Sequence, residues 1–272
     1  MSDSPSLPKG ERIAKVMARA GLCSRRDAEN WIASGRVAVN GEVLKSAALN
    51  VGPDDEVLVD GVALRAPEPS RLWRYHKPAG LVTSHRDEKN RPTVFANLPP
   101  TLPRVVSVGR LDLTSEGLLL LTNDGALARN LELPSRGWLR RYRVRVHGRP
   151  DPAALAKLAD GIVIDHIRYG HIVASIDAAS AGKSNCWLTV SLTEGKNREI
   201  RRVMEHLHLS VNRLIRVAYG PFQLGKLGAG EVEEVPRHVL REQLGEGTGK
   251  KTAPPRAGWA AKRERGKLRR PS

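Results

Sequence analysis

Four consecutive leucines, Leu118 to Leu121, constrain this chain more than any other feature. An apolar run of that kind, bounded by turn chemistry, reads as a buried strand. Ahead of it stands Val108-Gly109-Arg110-Leu111-Asp112-Leu113-Thr114-Ser115-Glu116-Gly117, a polar turn with charges; behind it Asn123-Asp124-Gly125 closes the strand. Asp112 therefore lies at the lip of the strand, two residues after Arg110. Folding alone gains little from a carboxylate there, whereas chemistry on a bound substrate gains much. If Arg110-Leu111-Asp112 is extended, alternation turns Arg110 and Asp112 towards a cleft and Leu111 into the core. An aspartate so placed can be a nucleophile, a base or a metal ligand. Only Glu116 and Asp124 are nearby acids, and the glycine between them marks a turn, so no metal is expected. On spacing alone, an Asp–Arg pair closing a turn is the competing reading.

The charge balance points to a polyanion. Lys and Arg number 45 against 29 Asp and Glu, a formal charge of +16. Nucleic acid is the first partner class this implies, and an anionic membrane surface the second. No segment offers the ~18 apolar residues of a spanning helix. Met1 to Gly10 is polar and lacks the apolar core of a secretory signal. Cys23 and Cys186, the two cysteines, are too few for a disulfide framework or a cysteine zinc site. A cytoplasmic protein with reduced thiols is expected.

Residues 11–64 read as a small independent module. Ile13, Val16, Met17 and Ala20 share a helix face, and Gly21 stops the helix. Ser24 and Asp27 have the spacing of a capping box for a second helix with Ala28, Trp31 and Ile32 on its apolar face. Val37 and Val39 alternate into Asn40-Gly41, a hairpin signal, and Val57 to Val59 form another strand. Arg25, Arg26 and Arg36 near the ends of these elements suit RNA phosphates. Residues 65–70, with Pro67 and Pro69, read as a linker. Residues 71–244 mix strand-like runs (Leu81 to Thr83, Tyr142 to Val146, Cys186 to Leu192) with helical runs (Ala126 to Leu133, Pro152 to Ala159, Arg198 to Leu207). Their irregular order favours an α+β fold with a mixed or antiparallel sheet. Residues 1–10 read as a flexible N-terminus. Residues 245–272 read as a disordered basic tail, too poor in apolar residues to fold alone.

Three further segments carry candidate chemistry. In Leu192 to Met204, Asn197 is placed to cap a helix whose buried stripe is Ile200, Val203, Met204 and Leu207. Arg201 adjoins that stripe, and a half-buried arginine needs a carboxylate. Asp112 is the natural partner, and the pair would keep it ionised. Tyr142 lies in the strand-like Arg140-Arg141-Tyr142-Arg143-Val144, where packing is the ordinary role of a tyrosine. Tyr75-His76-Lys77-Pro78-Ala79-Gly80 reads as a loop, and Leu214 to Leu224 as mostly structural.

The eighteen residues from Val108 to Gly125 resemble the signature of the pseudouridine synthases, in their RsuA/RluB branch. Lys77-Pro78, Arg140 to Tyr142 and Glu194 to Arg202 resemble further motifs of that family. Gly21 to Arg26 with Gly35 to Gly41 resembles the S-four-type RNA-binding domain. Together the resemblance runs from about Glu11 to about Val235. It implies an α+β fold: a small N-terminal S-four-type domain and a catalytic domain with a mixed, largely antiparallel sheet and flanking helices. It implies that Asp112 is the catalytic aspartate, that Tyr142 packs on the target base, and that Arg201 pairs with Asp112, with Arg198 the alternative. Arg140 stands where the family has a lysine; the charge is kept, though a point charge becomes a planar fork. Arg110 is expected to fill the space left by a flipped base. Lys77, Arg140, Lys196, Arg198 and Arg202 are expected to contact RNA alongside Arg25, Arg26 and Arg36.

The implied reaction detaches uracil from its ribose nitrogen, turns it and reattaches it through carbon five. It is an isomerisation, for which no cofactor is expected. Glu194 to Arg202 is more similar to the large-subunit enzymes of the branch, which implies large-subunit (23S) ribosomal RNA or a pre-ribosomal particle as substrate, with small-subunit RNA the alternative. A monomer without membrane contact is expected. Two rival readings stand beside this one: a non-catalytic ribosome-assembly protein, and a relative of the aminoacyl-tRNA synthetases, which would need a nucleotide-binding signature.

Overall fold

The computed structural model describes residues 10–180 and 183–244. The expected basic tail at 245–272, and the expected flexible N-terminus apart from Gly10, lie outside them.

Strand β1 (Glu11–Arg12) runs directly into α1 (Ile13–Arg19), and α2 (Arg25–Ala33) follows. Ser24 caps α2 through the expected reciprocal box: its Oγ accepts the Asp27 N–H at 3.0 Å, and the Asp27 carboxylate accepts the Ser24 N–H at 3.2 Å. Then come β2 (Val37–Val39), β3 (Glu42–Val43), β4 (Asn50–Val51), β5 (Val57–Val59) and β6 (Val62–Ala63). They form an antiparallel sheet in the order β3-β2-β5-β6, with β1 paired to β4. Asn40-Gly41 and Asp60-Gly61 both take positive φ, as two-residue hairpin turns require. Ile13, Met17, Ala28, Ile32, Val37 and Val59 share one core, which also takes in Cys23. Burial pushes the Cys23 thiol up to about 11, which suits packing rather than reactivity.

The rest of the first compact unit, which ends at Pro236, is built on one mixed sheet. Its strands are β7 (Leu72–Lys77), β8 (Val106–Val108), β9 (Ser115–Thr122), β10 (Arg140–His147), β13 (Ile172–Ile176), β14 (Asn185–Leu192), β15 (Ser210–Tyr219), β16 (Phe222–Gln223) and β17 (Val232–Glu234); β11 (Ile162–Ile164) and β12 (Ile167–Tyr169) make a separate hairpin. The order is β13-β14-β10-β15-β9-β7-β17, with β8 on β9 and β16 on β15. Every pairing in the sheet is antiparallel except β15 with β9, where Leu214 lies opposite Ser115 and Arg216 opposite Gly117. The four leucines of β9 are all buried. Gly117 is what allows β15 so close: a Cβ there would lie 2.3 Å from the Arg216 carbonyl oxygen, at a φ of +100° that side chains rarely adopt.

Helices α3 (Gly125–Glu132), α4 (Pro152–Lys157) and α5 (Glu199–His206) flank this sheet. Asp124 caps α3 by accepting the N–H groups of Ala126 and Leu127. Ile200, Val203 and Met204 of α5 pack with Val144, Leu188, Val190 and Leu214 of the sheet. Three local expectations fail. Tyr75 to Lys77, expected in a loop with Pro78 and Gly80, end strand β7, where they pair with Leu119, Leu118 and Gly117 of β9. Leu81 to Thr83 is not a strand; a single bridge from Val82 to Thr93 is all it forms, because Pro78 and Gly80 have already turned the chain out of β7. Asn197 does not cap α5; Arg198 occupies the cap position in the left-handed region, at φ 51°, without a side-chain cap. The second compact unit begins at Arg237, and its described part is α6 (Arg237–Leu244). No helix among the described residues is long and apolar enough to cross a membrane.

Candidate active site

Asp112 lies between β8 and β9 in a turn whose backbone is gripped from several directions. Thr83 Oγ1 donates to the Leu111 carbonyl at 2.9 Å, and Gly80 N–H donates to that of Leu113 at 2.8 Å. Lys77 Nζ donates to the carbonyls of Ser115 (2.8 Å), Pro78 (3.0 Å) and Leu113 (3.4 Å). Glu132 accepts the Gly109 N–H at 2.6 Å. The Leu111 side chain is buried with Trp73, Tyr75 and Leu119, as alternation requires. The Asp112 carboxylate itself makes no hydrogen bond or ion pair among the described residues. The protein thus fixes the backbone of this residue and leaves its reactive atoms free.

That carboxylate faces a cleft of about 630 Å³ lined by Arg110, Leu111, Asp112, Arg140, Tyr142, Lys196, Arg198, Ile200, Leu214, Arg216 and Tyr219, among others. Strands β10 and β15 supply one wall, with Tyr142 directly opposite Arg216 in the ladder. Loop 195–198 supplies the rim. Tyr142 is buried and lines the cleft. Arg110, Lys196 and Arg198 are exposed at the cleft, while Lys196 also pairs with Glu194. Arg140 donates to the Thr193 carbonyl and lies over the Tyr219 ring at 4.9 Å. Glu199, at the head of α5, is buried in the same cleft and accepts the Lys196 N–H at 2.8 Å. Burial, with Glu194 beside it, pushes the Glu199 carboxyl up to about 7.

Lys77 and Arg201 stand otherwise than foreseen. Lys77 is not an RNA contact: it has 0 % exposure, and its ammonium is spent on the three carbonyls beneath the Asp112 turn. Burial pulls its pKa down to about 8, against the opposing pull of Asp112 and Glu116. Arg201 does not form an ion pair with Asp112. Its guanidinium instead donates to the carbonyls of Val211 (3.1 Å) and Thr114 (3.3 Å), and it interacts with Asp112 only through space. Arg202 is exposed on α5 away from the cleft. Arg25 and Arg26 are exposed on the first turn of α2. Arg36 is exposed, doubly bonded to Asp60 and 4.5 Å over the Trp31 ring.

Sequence reasoning missed Arg216. It is 3 % exposed, yet it lines the cleft. The signal was present: Leu214, Arg216 and Ala218 occupy the buried phase of β15. Among the described residues no group of three or more His, Cys, Asp or Glu is placed to hold a metal ion.

Comparison with known proteins assigns this architecture. Residues 71–206 match the model of the RNA pseudouridylate synthases, and residues 11–57 match the S4 domain. The chain belongs to the RNA pseudouridylate synthase family. Its α+β fold, an S4 domain followed by a pseudouridine synthase domain, is the one expected from the sequence. Over 231 residues the chain is 49 % identical to a Rickettsia bellii protein described as an uncharacterized RNA pseudouridine synthase, covering 85 % of this chain and 99 % of that one. It is 40 % identical over 254 residues to the ribosomal large subunit pseudouridine synthase B of Pseudomonas aeruginosa, covering 89 % of this chain and 65 % of that one. The protein of the same name from Escherichia coli O157:H7 is 40 % identical over 243 residues, covering 85 % and 83 %. A crystal structure of a pseudouridylate synthase superposes with a TM-score of 0.59 at 24 % identity, over 85 % of this chain and 99 % of that one, which shows the shared fold. As a member of this family the chain is an RNA pseudouridine synthase, an isomerase acting on RNA.

Proposed function

We propose that this RNA pseudouridine synthase isomerises one uridine of large-subunit ribosomal RNA, with Asp112 as its catalytic carboxylate. The observation that carries the reading is the contrast at Asp112: a main chain pinned by Thr83, Gly80 and Lys77, and a carboxylate left without a partner beside Tyr142 in a cleft with a basic rim. The target base leaves its stack before chemistry. Arg110, exposed at the mouth, fills the vacated space with a planar cation. The uracil ring packs on Tyr142, and Asp112 acts on it from the turn. Attack on the ring, attack on the anomeric carbon and removal of a ribose proton are three routes open to that carboxylate. Arg201 positions the turn through the Thr114 carbonyl.

Phosphates follow the rim residues Arg140, Lys196 and Arg198, while Arg202 on α5 and Arg25, Arg26 and Arg36 of the S4 domain extend the track. The S4 domain spans residues 11–64, the linker 65–70 and the catalytic domain 71–244, and the basic residues of 245–272 add salt-sensitive affinity. The chain works in the cytoplasm as a monomer. The large-subunit assignment is supported by the two relatives named for that activity.

The test incubates the protein and its Asp112→Asn variant with unmodified large- and small-subunit ribosomal RNA transcripts and maps pseudouridine by carbodiimide labelling and reverse-transcription stops. A large-subunit stop made by the wild type and lost in the variant is the expected result. A stop confined to small-subunit RNA would move the substrate, and a stop retained in the variant would reject Asp112. No stop on either transcript would exclude naked ribosomal RNA as the substrate.

A further inference from the structure

We propose that Arg216 is the residue that grips the uracil edge: its guanidinium donates to a ring carbonyl oxygen of the target base, before and after the base turns. The proposal rests on the cleft being the uridine site.

Arg216 is a buried cation with too few partners. Its Nε donates to the Leu118 carbonyl at 2.7 Å, and that is its one hydrogen bond among the described residues. Nη2 is sealed from solvent with nothing to bond. A buried charge normally has its donors satisfied, because each unmet one forfeits its hydration. No carboxylate compensates it among the described residues. A sealed Nη2 cannot be reached from the cleft, whereas Nη1 has no partner among the described residues and is not sealed, so its acceptor has to come from whatever fills the cleft that Arg216 lines.

Position decides which acceptor. Tyr142 and Arg216 are paired residues on adjacent strands, and both line the cleft. Paired side chains on one sheet face have Cβ atoms about 5 Å apart. A base packed on the Tyr142 ring therefore presents its edge, not its face, to Arg216. Phosphates stay with the RNA backbone at the mouth, where exposed Arg110, Lys196 and Arg198 stand. A 3 % exposed guanidinium on the wall meets the base instead.

The orientation is set in advance. The bond to Leu118 holds one side of the guanidinium, and the Tyr219 ring lies under it at 5.1 Å. The β15 backbone at Arg216 is in turn held against Gly117. A donor locked this way needs no reordering when the base arrives.

Uracil suits such a donor for a reason special to this isomerisation. The ring is nearly symmetric about the line through N3 and C6. Turning it about that line exchanges N1 with C5, which is the net change of the reaction, and it also exchanges O2 with O4. One fixed N–H donor thus finds a carbonyl oxygen in the starting base and another in the turned base. Cytosine breaks the match, since its amino group would set N–H against N–H. Arg216 is then a specificity residue as well as a grip.

The test is a double-substitution cycle on a synthetic RNA hairpin carrying the mapped uridine, or 4-thiouridine or 2-thiouridine in its place. Sulfur is the weaker acceptor. Single-turnover rates are measured for the wild type and Arg216→Met, with Asp112→Asn as the inactive control. Expected are a roughly 100-fold slower reaction for Arg216→Met on uridine, the order seen when one positioned donor is removed, and a thio penalty of about tenfold in the wild type that shrinks towards onefold in the variant. An equal thio penalty in both proteins, or none in the wild type at either sulfur position, would overturn the contact. If Arg216→Met lacks a cooperative unfolding transition, Arg216→Gln, which keeps a donor for Leu118, replaces it in the cycle. If a variant is too slow to time, the cycle is run as hairpin affinity in the Asp112→Asn background. A wild type that makes no pseudouridine in this hairpin fails the reading of the cleft, and Arg216 with it; an active wild type with an unchanged penalty in the variant fails Arg216 alone.

Discussion

Lys77 and Arg216 are both cations taken out of water, one beneath the Asp112 turn and one in the cleft wall, yet the protein treats them in opposite ways. Lys77 at the end of β7 finds three carbonyls within 3.4 Å. Arg216 on β15 finds one. A buried cation whose donors are all met is a piece of the fold, and its removal leaves holes in the hydrogen bonding. A buried cation with donors to spare is a piece of a binding site. The two residues lie in one sheet, with β9 between their strands, so the contrast reflects what each is for rather than how deep each sits.

The largest effect expected separates chemistry from folding altogether. Asp112→Asn should lower the rate of pseudouridine formation by at least about 1000-fold, roughly 4 kcal/mol of barrier, while the midpoint of urea unfolding stays put. A matching loss of stability would mean that the free carboxylate has a structural partner after all.

Next in size is Lys77→Met, which keeps the stem and strips the ammonium from the carbonyls of Pro78, Leu113 and Ser115. A loss of about 3 kcal/mol in denaturant unfolding is expected, against about 1 kcal/mol for Arg216→Met, which gives up one bond. Equal losses would break the comparison.

Glu199 tests a buried group of the opposite sign by pH. Its carboxyl, titrating together with Glu194, is raised to about 7 chiefly by burial. The folded state then holds a proton that the unfolded chain gives up in the ordinary carboxyl range. Stability from this group is complete below that range and is lost as pH rises through about 7. Glu199→Gln, which cannot ionise, should lack that loss and exceed the wild type by about 2 kcal/mol at about pH 8 but not in the acid range where both carry a neutral side chain. Parallel stability curves for the two proteins would show that the proton is not where the cleft places it.

The smallest effects belong to the exposed cations. Arg25→Ala with Arg26→Ala should weaken RNA binding alike for all sequences and lower the slope of log affinity against log salt by about one for each phosphate no longer neutralised. Filter binding across a salt series measures it. A weakening confined to one sequence would make these arginines base readers, as Arg216 is.

Much of this was legible in the residues because local rules decide it. The four leucines of β9 could be nothing but buried, Ser24 and Asp27 announced their cap, and Asn40-Gly41 its hairpin. Asp112 stood out because its position served no local purpose. What escaped depends on partners distant in sequence. Lys77 next to Pro78 and Gly80 reads as an exposed loop lysine; the return of Leu113 and Ser115 over it supplies the two acceptors that lie far from it in sequence. Arg201 was paired by its sequence with the one carboxylate in view, whereas two main-chain oxygens from β15 and the Asp112 turn reached it first. Arg216 was hidden among apolar neighbours that made β15 look purely structural.

Gly117 carries a consequence for how such a cleft can change. The distance between the Asp112 turn and the strand bearing Arg216 is held by a missing side chain, since even one added carbon would fall 2.3 Å from the Arg216 oxygen. Nothing smaller than glycine exists and nothing larger fits, so the spacing cannot be adjusted by degrees. Room for a differently shaped target is therefore easier to make at the exposed rim, at Arg110 and loop 195–198, than at this floor.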